Sequence, residues 1–137
     1  MRLTRKKTNQ TVQIEDGFLW SDENWSRIEQ SQNYAVGGVL ILQEGFKQSG
    51  RPITLQPANK TKGWIKLSDL NILRQWKDLP EEQFTLKFEW PHDQREFNVT
   101  FNHKDGALES SPIRGTPAVS NNTYFNVTLR FLELEND

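Results

Sequence analysis

Two histidines, His92 and His103, are the side chains best suited to proton transfer near neutral pH. Each has a carboxylate nearby in the chain, Asp93 beside His92 and Asp105 just after His103. A protein zinc site needs three or four ligands, and neither pair has a third at ligand spacing, so both read as turn histidines. Glu81 and Glu82 could in principle form an acid–base pair, but that chemistry needs two carboxylates in different environments. Their position after a helical pattern reads as a solvated pair. The chain has no cysteine. That removes a thiolate nucleophile, a thiolate metal site and a disulfide together, and it suits a reducing compartment. Gly37-Gly38 lacks the spacing of a phosphate-binding loop, and no G-x-S-x-G nucleophile elbow occurs. No catalytic residue, metal or cofactor is expected, and a function by binding is.

Candidate binding residues are more plentiful. Trp20, Trp25 and Trp64 sit in polar surroundings. They read either as lids on the core or as anchors of a subunit interface, where tryptophan is enriched. On a β-sandwich they could also form a sugar-stacking platform. Arg2, Arg5, Lys6 and Lys7 make a basic start, and Glu133, Glu135 and Asp137 an acidic end. These read as solvated tails, or as a salt-dependent contact in which one subunit's basic arm meets its neighbour's acidic edge. Pro112, Arg114 and Pro117 lie in a long polar segment suited to reaching neighbours. Arg51, between Gly50 and Pro52, reads as a surface arginine or as one fixed in an ion pair that locks its loop. The formal net charge is −1, which carries no nucleic-acid or membrane signature. No apolar run reaches the roughly 20 residues of a membrane span, and the basic start lacks the apolar stretch of a signal peptide.

The elements that would hold these residues form a single domain, as expected for 137 residues. Residues 1–16 read as a flexible basic arm, and 17–137 as one β domain. Tyr34 to Phe46, with Val39-Leu40-Ile41-Leu42 at its centre, reads as a buried strand, with Gly37-Gly38 as a bulge. Arg51 to Leu55 reads as a short strand. Leu67, Leu70, Leu73, Trp76 and Leu79 recur along one face and predict a helix over 67–79, capped at Ser68 and stopped by Pro80. Phe84, Leu86, Phe88 and Trp90 alternate, as do Phe97, Val99 and Phe101, which predicts a hairpin. Phe125, Val127, Leu129 and Phe131 close the chain as a last strand. Leu108 to Asn122 reads as a loop. Trp76 and Trp90 continue apolar faces and read as core.

Several segments in order resemble a family of small tail proteins of phages and prophages. They are Leu19-Trp20-Ser21-Asp22-Glu23-Asn24-Trp25-Ser26, Gly37-Gly38-Val39-Leu40-Ile41-Leu42-Gln43-Glu44, Ser49-Gly50-Arg51-Pro52-Ile53-Thr54-Leu55, Gly63-Trp64-Ile65 with the helix, and His103-Lys104-Asp105-Gly106 with the last strand. The resemblance spans roughly residues 17–134 and leaves out the arm. It implies a non-enzymatic virion component of the tail tip or baseplate. The implied fold is a mainly β barrel or sandwich of antiparallel strands, like tail-tube proteins, with one packed helix. The implied partners are copies of itself in a ring, with the tube, hub and tape-measure proteins, and non-specific passage of DNA without membrane insertion. A structural role for Gly50, Arg51 and Pro52 follows from the same resemblance. The competing expectations are a carbohydrate- or receptor-binding module and, less favoured, a cell-wall hydrolase.

Overall fold

The computed structural model describes residues 1–15, 17–47, 49–59, 61–113 and 123–134. The protein is mainly β with one helix, and its strands pair antiparallel throughout. The central element is the last strand, β11 (Tyr124–Glu133), whose Phe125, Val127, Leu129 and Phe131 all point inward. Strict alternation with bulky apolar residues commits one face of a strand to a core. Its ten residues are long enough to serve different partners along their length. The C-terminal half pairs with β6 (Pro52–Pro57) and β9 (Glu96–Phe101), and the N-terminal half with β7 (Trp64–Lys66) and β10 (Leu108–Pro112). Around it the sheet runs β2-β1-β8-β9-β11-β6-β3. Among the described residues the two ends of that path, β2 (Thr11–Gln13) and β3 (Phe18–Trp20), do not meet, so the sheet is not a closed barrel.

The segment expected to be a flexible arm is part of this sheet. Arg2–Arg5 forms β1, which lies between β2 and β8 (Phe84–Lys87). Leu3 stands opposite both Val12 and Leu86, and all three are buried. The physical reason is the apolar series Met1, Leu3, Val12 and Ile14, which is wholly buried and outweighs the cations between its members.

The helix, α1 (Leu67–Lys77), buries Leu70, Leu73 and Trp76, with Leu67, Ile72 and Leu79 partly covered. Its N-cap is Lys66 and not Ser68, and no side chain caps it. Pro80 follows the Asp78 C-cap closely, as a helix stop does. Trp76 meets Phe84 at 5.4 Å between ring centres, and the aromatic chain continues through Phe101 at 5.2 Å to Phe131 at 4.9 Å. These aromatics carry much of the core burial. Leu108–Pro112, expected as loop, is a strand; Glu109, Ser110 and Ser111 are exposed and lie on β11 through backbone pairing with polar side-chain contacts to Arg130 and Arg74, which leaves no apolar alternation to read.

A second, two-stranded sheet stands apart. β4 (Ile28–Tyr34) and β5 (Leu40–Phe46) pair with each other and, among the described residues, with no other strand. Every residue of both strands is exposed, so the strand expected to be buried is the most open element of the protein. Gly37-Gly38 forms the hairpin's tip and not a bulge: Ala35 N–H donates to the Val39 carbonyl and Gly38 N–H to the Ala35 carbonyl, both at 2.8 Å.

Candidate interaction surface

The hairpin register sorts its side chains. Ile28, Tyr34, Leu40, Leu42 and Phe46 share one face with Gln30, Gln32 and Glu44, while Glu29, Ser31, Asn33, Ile41 and Gln43 share the other. One face is therefore apolar at both ends and polar across the middle, where Gln30 donates to Glu44 at 2.6 Å and Gln32 to Gln30 at 2.5 Å. Nine large hydrophobic side chains are exposed among those described, and eight lie between Ile28 and Phe46. Tyr34 and Phe46 are each 75% exposed and Val39 68%. Spread over both faces and the tip, the eight together expose on the order of 1,000 Å² of surface. The edges are also unguarded. Neither strand contains lysine, arginine or proline, and Glu29 and Glu44 are their only charges. Natural edge strands that must not pair usually carry such residues.

What fixes the hairpin to the body is a compact root. The Asp22 carboxylate accepts from the Thr54 N–H and from its hydroxyl, each at 2.8 Å, and pins the preceding turn to β6. The Lys47 N–H donates to the Arg27 carbonyl at 2.8 Å and closes the hairpin's base. Lys47 lies 4.6 Å over the Trp25 ring, and its ammonium donates to the Ser26 carbonyl at 3.2 Å.

The Gly50-Arg51-Pro52 turn completes the root. Gly50 takes φ +85, a left-handed conformation that disfavours any side chain, and its N–H donates to the Glu133 carbonyl at 2.9 Å. Pro52 begins β6 opposite Leu132. Arg51 is locked, but not by an ion pair: no carboxylate lies within salt-bridge distance among the described residues. Its guanidinium stacks 4.6 Å over Trp20 and donates to the Glu23 carbonyl at 2.7 Å. Arg95 covers the same indole at 5.2 Å and is held by Asp93 at 2.7 Å and Glu23 at 3.1 Å. The Arg95 hydrogen bond, foremost, holds the Asp93 carboxyl below its ordinary value.

The remaining candidate residues fall in separate settings. Trp20 is buried against Phe88 and Phe97, so it cannot serve an open sugar platform with Trp25 and Trp64. Trp64, half-buried on β7, packs on Tyr124 at 5.7 Å. The basic start does not reach outward as a whole. Arg2 pairs with Glu89 at 3.2 Å, and Arg5 grips Glu82 through two nitrogens at 3.0 and 3.1 Å, with Lys7 at 3.3 Å; Lys6 is exposed. Glu82 is thus not a solvated carboxylate but a buried one, 5% exposed. Its hydrogen bond from Arg5, ahead of the contribution of Lys7, holds its carboxyl below the ordinary range. Nothing in the pattern Glu81-Glu82 signals this; the partner lies 77 residues away. Pro112 ends β10 and is exposed, and Arg114 and Pro117 lie outside the described residues, as do Glu135 and Asp137. His92 stacks on Trp90 and His103 lies in a short 3-10 turn near Phe101. Among the described residues no three of His, Cys, Asp and Glu gather as metal ligands, and no helix is long and apolar enough to cross a membrane.

Comparison with known proteins finds no matching family model, no matching curated protein and no matching solved structure.

Proposed function

We propose that this protein is a structural subunit of a bacteriophage-type tail or baseplate. It works by assembling with copies of itself into a ring near the end of the tail tube, beside tube, hub and tape-measure proteins. The observation that carries assembly is the hairpin β4–β5, which holds eight of the nine exposed large hydrophobics on a ribbon with two unguarded edges. An isolated two-stranded hairpin is marginal in water. Covering its apolar face and pairing its edges would remove both liabilities at once. A stable interface buries roughly 800 Å² on each partner, which would take in the hairpin's mixed face and its tip together. The tail context comes from the segment resemblance, in which the Gly50-Arg51-Pro52 turn has a structural role. In this protein that turn sits at the hairpin's root and holds β6 against β11.

Cryo-electron microscopy of the particle that carries the protein tests this reading. A symmetric ring at the tail end, with residues 28–46 of each copy packed between subunits, is the expected density. Single copies projecting outward with the hairpin in solvent would overturn it.

A further inference from the structure

Beside the hairpin's root lies an open cleft of about 210 Å³, lined by Trp25, Arg27, Lys47, Ser49, Arg51 and Glu133. Three cations and one carboxylate make its wall net positive on a chain whose formal charge is −1. Those cations are poorly neutralised. Among the described residues Arg27 and Arg51 have no carboxylate within salt-bridge distance, and Lys47 has only Glu29 at 3.9 Å. Two further atoms of the cleft residues are buried with no hydrogen-bond partner in the protein, the Arg51 Nε donor and the Glu133 Oε2 acceptor. The two residues are adjacent across the sheet, where the Glu133 N–H donates to the Arg51 carbonyl at 2.8 Å. Both atoms are sealed from solvent here, so a ligand pairs with them only if the Arg51 and Glu133 side chains turn toward the cleft; leaving them unpaired is costly, which favours that turn when a partner is present.

We infer that this cleft binds an acidic, extended peptide segment of a partner protein. A carboxylate side chain answers Arg27 and Lys47 with charge-assisted hydrogen bonds. The peptide backbone offers what the orphaned pair needs, a carbonyl for Arg51 Nε and an N–H for Glu133 Oε2. A phosphate backbone supplies acceptors only and offers no donor to the Glu133 carboxylate. One face of the Trp25 ring is already taken by Lys47 at 4.6 Å, which leaves less of it for a stacked base. The inference is independent of the ring proposal, since the cleft is built from the root and not from the hairpin's apolar face.

The test follows the Trp25 indole N–H resonance of the full chain, assigned through Trp25→Phe. The probes are a capped peptide alternating Glu and Ala, its Gln–Ala counterpart, and an oligothymidylate of equal charge. The Glu peptide should shift the resonance saturably, and raising salt from about 50 to about 500 mM should weaken it. The double substitution Arg27→Gln, Lys47→Gln should weaken binding about tenfold or more; because Lys47 also lies over Trp25 and donates to Ser26, an unchanged urea midpoint and otherwise unchanged amide spectrum show that the loss is not one of folding. Equal affinity for the Gln peptide, insensitivity to the double substitution, or no binding at all each overturns the inference. Tighter binding of oligothymidylate than of the Glu peptide overturns it in favour of a phosphate ligand. Repeating the titration with Tyr34, Leu40 and Leu42 changed to Ser separates the two readings. Peptide binding kept in a chain that no longer self-associates supports the cleft, and its loss there ties the cleft to assembly and overturns its independence.

Discussion

Changing Tyr34, Leu40 and Leu42 together to Ser removes the apolar end of one hairpin face and should separate folding from association. In the monomer these side chains are 75%, 41% and 49% exposed. Full burial of a large apolar side chain is worth about 1.5–3 kcal/mol, so each substitution loses at most about 2 kcal/mol of packing. That loss falls within the hairpin, because β4 and β5 pair with no other strand among the described residues. The nine-stranded body should keep its unfolding midpoint. Leu86→Ser is the control: Leu86 is fully buried opposite Leu3, and an emptied site with a stranded hydroxyl should cost about 4 kcal/mol or more.

Association responds in the opposite way. If a neighbouring copy covers the three side chains, losing them should cost about 2–4 kcal/mol together, which raises the dissociation constant roughly 30- to 1,000-fold. Urea unfolding followed by tryptophan fluorescence reads the body through the buried Trp20 and Trp76. Sedimentation velocity over a concentration series reads assembly. An unchanged assembly profile refutes the hairpin as the contact. A body destabilised as severely as by Leu86→Ser refutes the picture of a hairpin that leans on nothing of its own chain.

Other consequences are equally direct. Phe84→Ala removes the ring that joins Trp76 to Phe101 and should cost about 3–5 kcal/mol in denaturant unfolding. Glu82→Gln should flatten the acid side of the stability profile: the folded carboxyl is held below its ordinary value of 4.5, so the Arg5 contact stabilises the fold above that pH and is lost as pH falls through the lowered value. A mutant whose acid melting matches the wild type would show the pair to be idle. Gly50→Ala should cost about 1–2 kcal/mol through its positive φ alone, because nothing lies near its Cβ, whereas Gly63→Ala should cost more, its Cβ falling 2.7 Å from the Pro57 Cα. Equal melting temperatures for the two variants would contradict this.

Much of the body was legible in the sequence because its core positions repeat with clean periods. The helix appears where Leu67 to Leu79 recur, and β8, β9 and β11 where Phe84, Val99 and Phe125 begin or continue their alternations. The errors have physical causes. Met1 and Leu3 are too few to outvote Arg2, Arg5, Lys6 and Lys7 in a local reading, yet Leu3 pairs with Val12 and Leu86 and Met1 bonds Ile14 through the backbone, and the burial of all five decides the matter. The run Val39 to Leu42 is apolar enough for a core strand, yet the fold leaves it exposed. A strand buried in its own chain and a strand awaiting a neighbour carry the same residues. Of the candidate site, the Gly50-Arg51-Pro52 turn stood out, while the stacking of Arg51 on Trp20 and the convergence of Arg27, Lys47 and Glu133 depend on pairings across 20 or more residues.

The placement of these features bears on why the root is built so tightly. An exposed ribbon can present its face in one direction only if its base is fixed, because freedom at the base would have to be removed on assembly at an entropic cost. Here three unrelated contacts fix it: Asp22 to Thr54, Arg51 over Trp20, and Lys47 to Arg27. Two of them end in the aromatic core or the main sheet, so the base inherits the body's rigidity. Gly37-Gly38 forms the far tip, away from these contacts. If a neighbouring copy covers the ribbon and an acidic segment fills the cleft, as proposed, this fixed root would hold the two contacts at a constant distance from each other, although neither needs the other to exist.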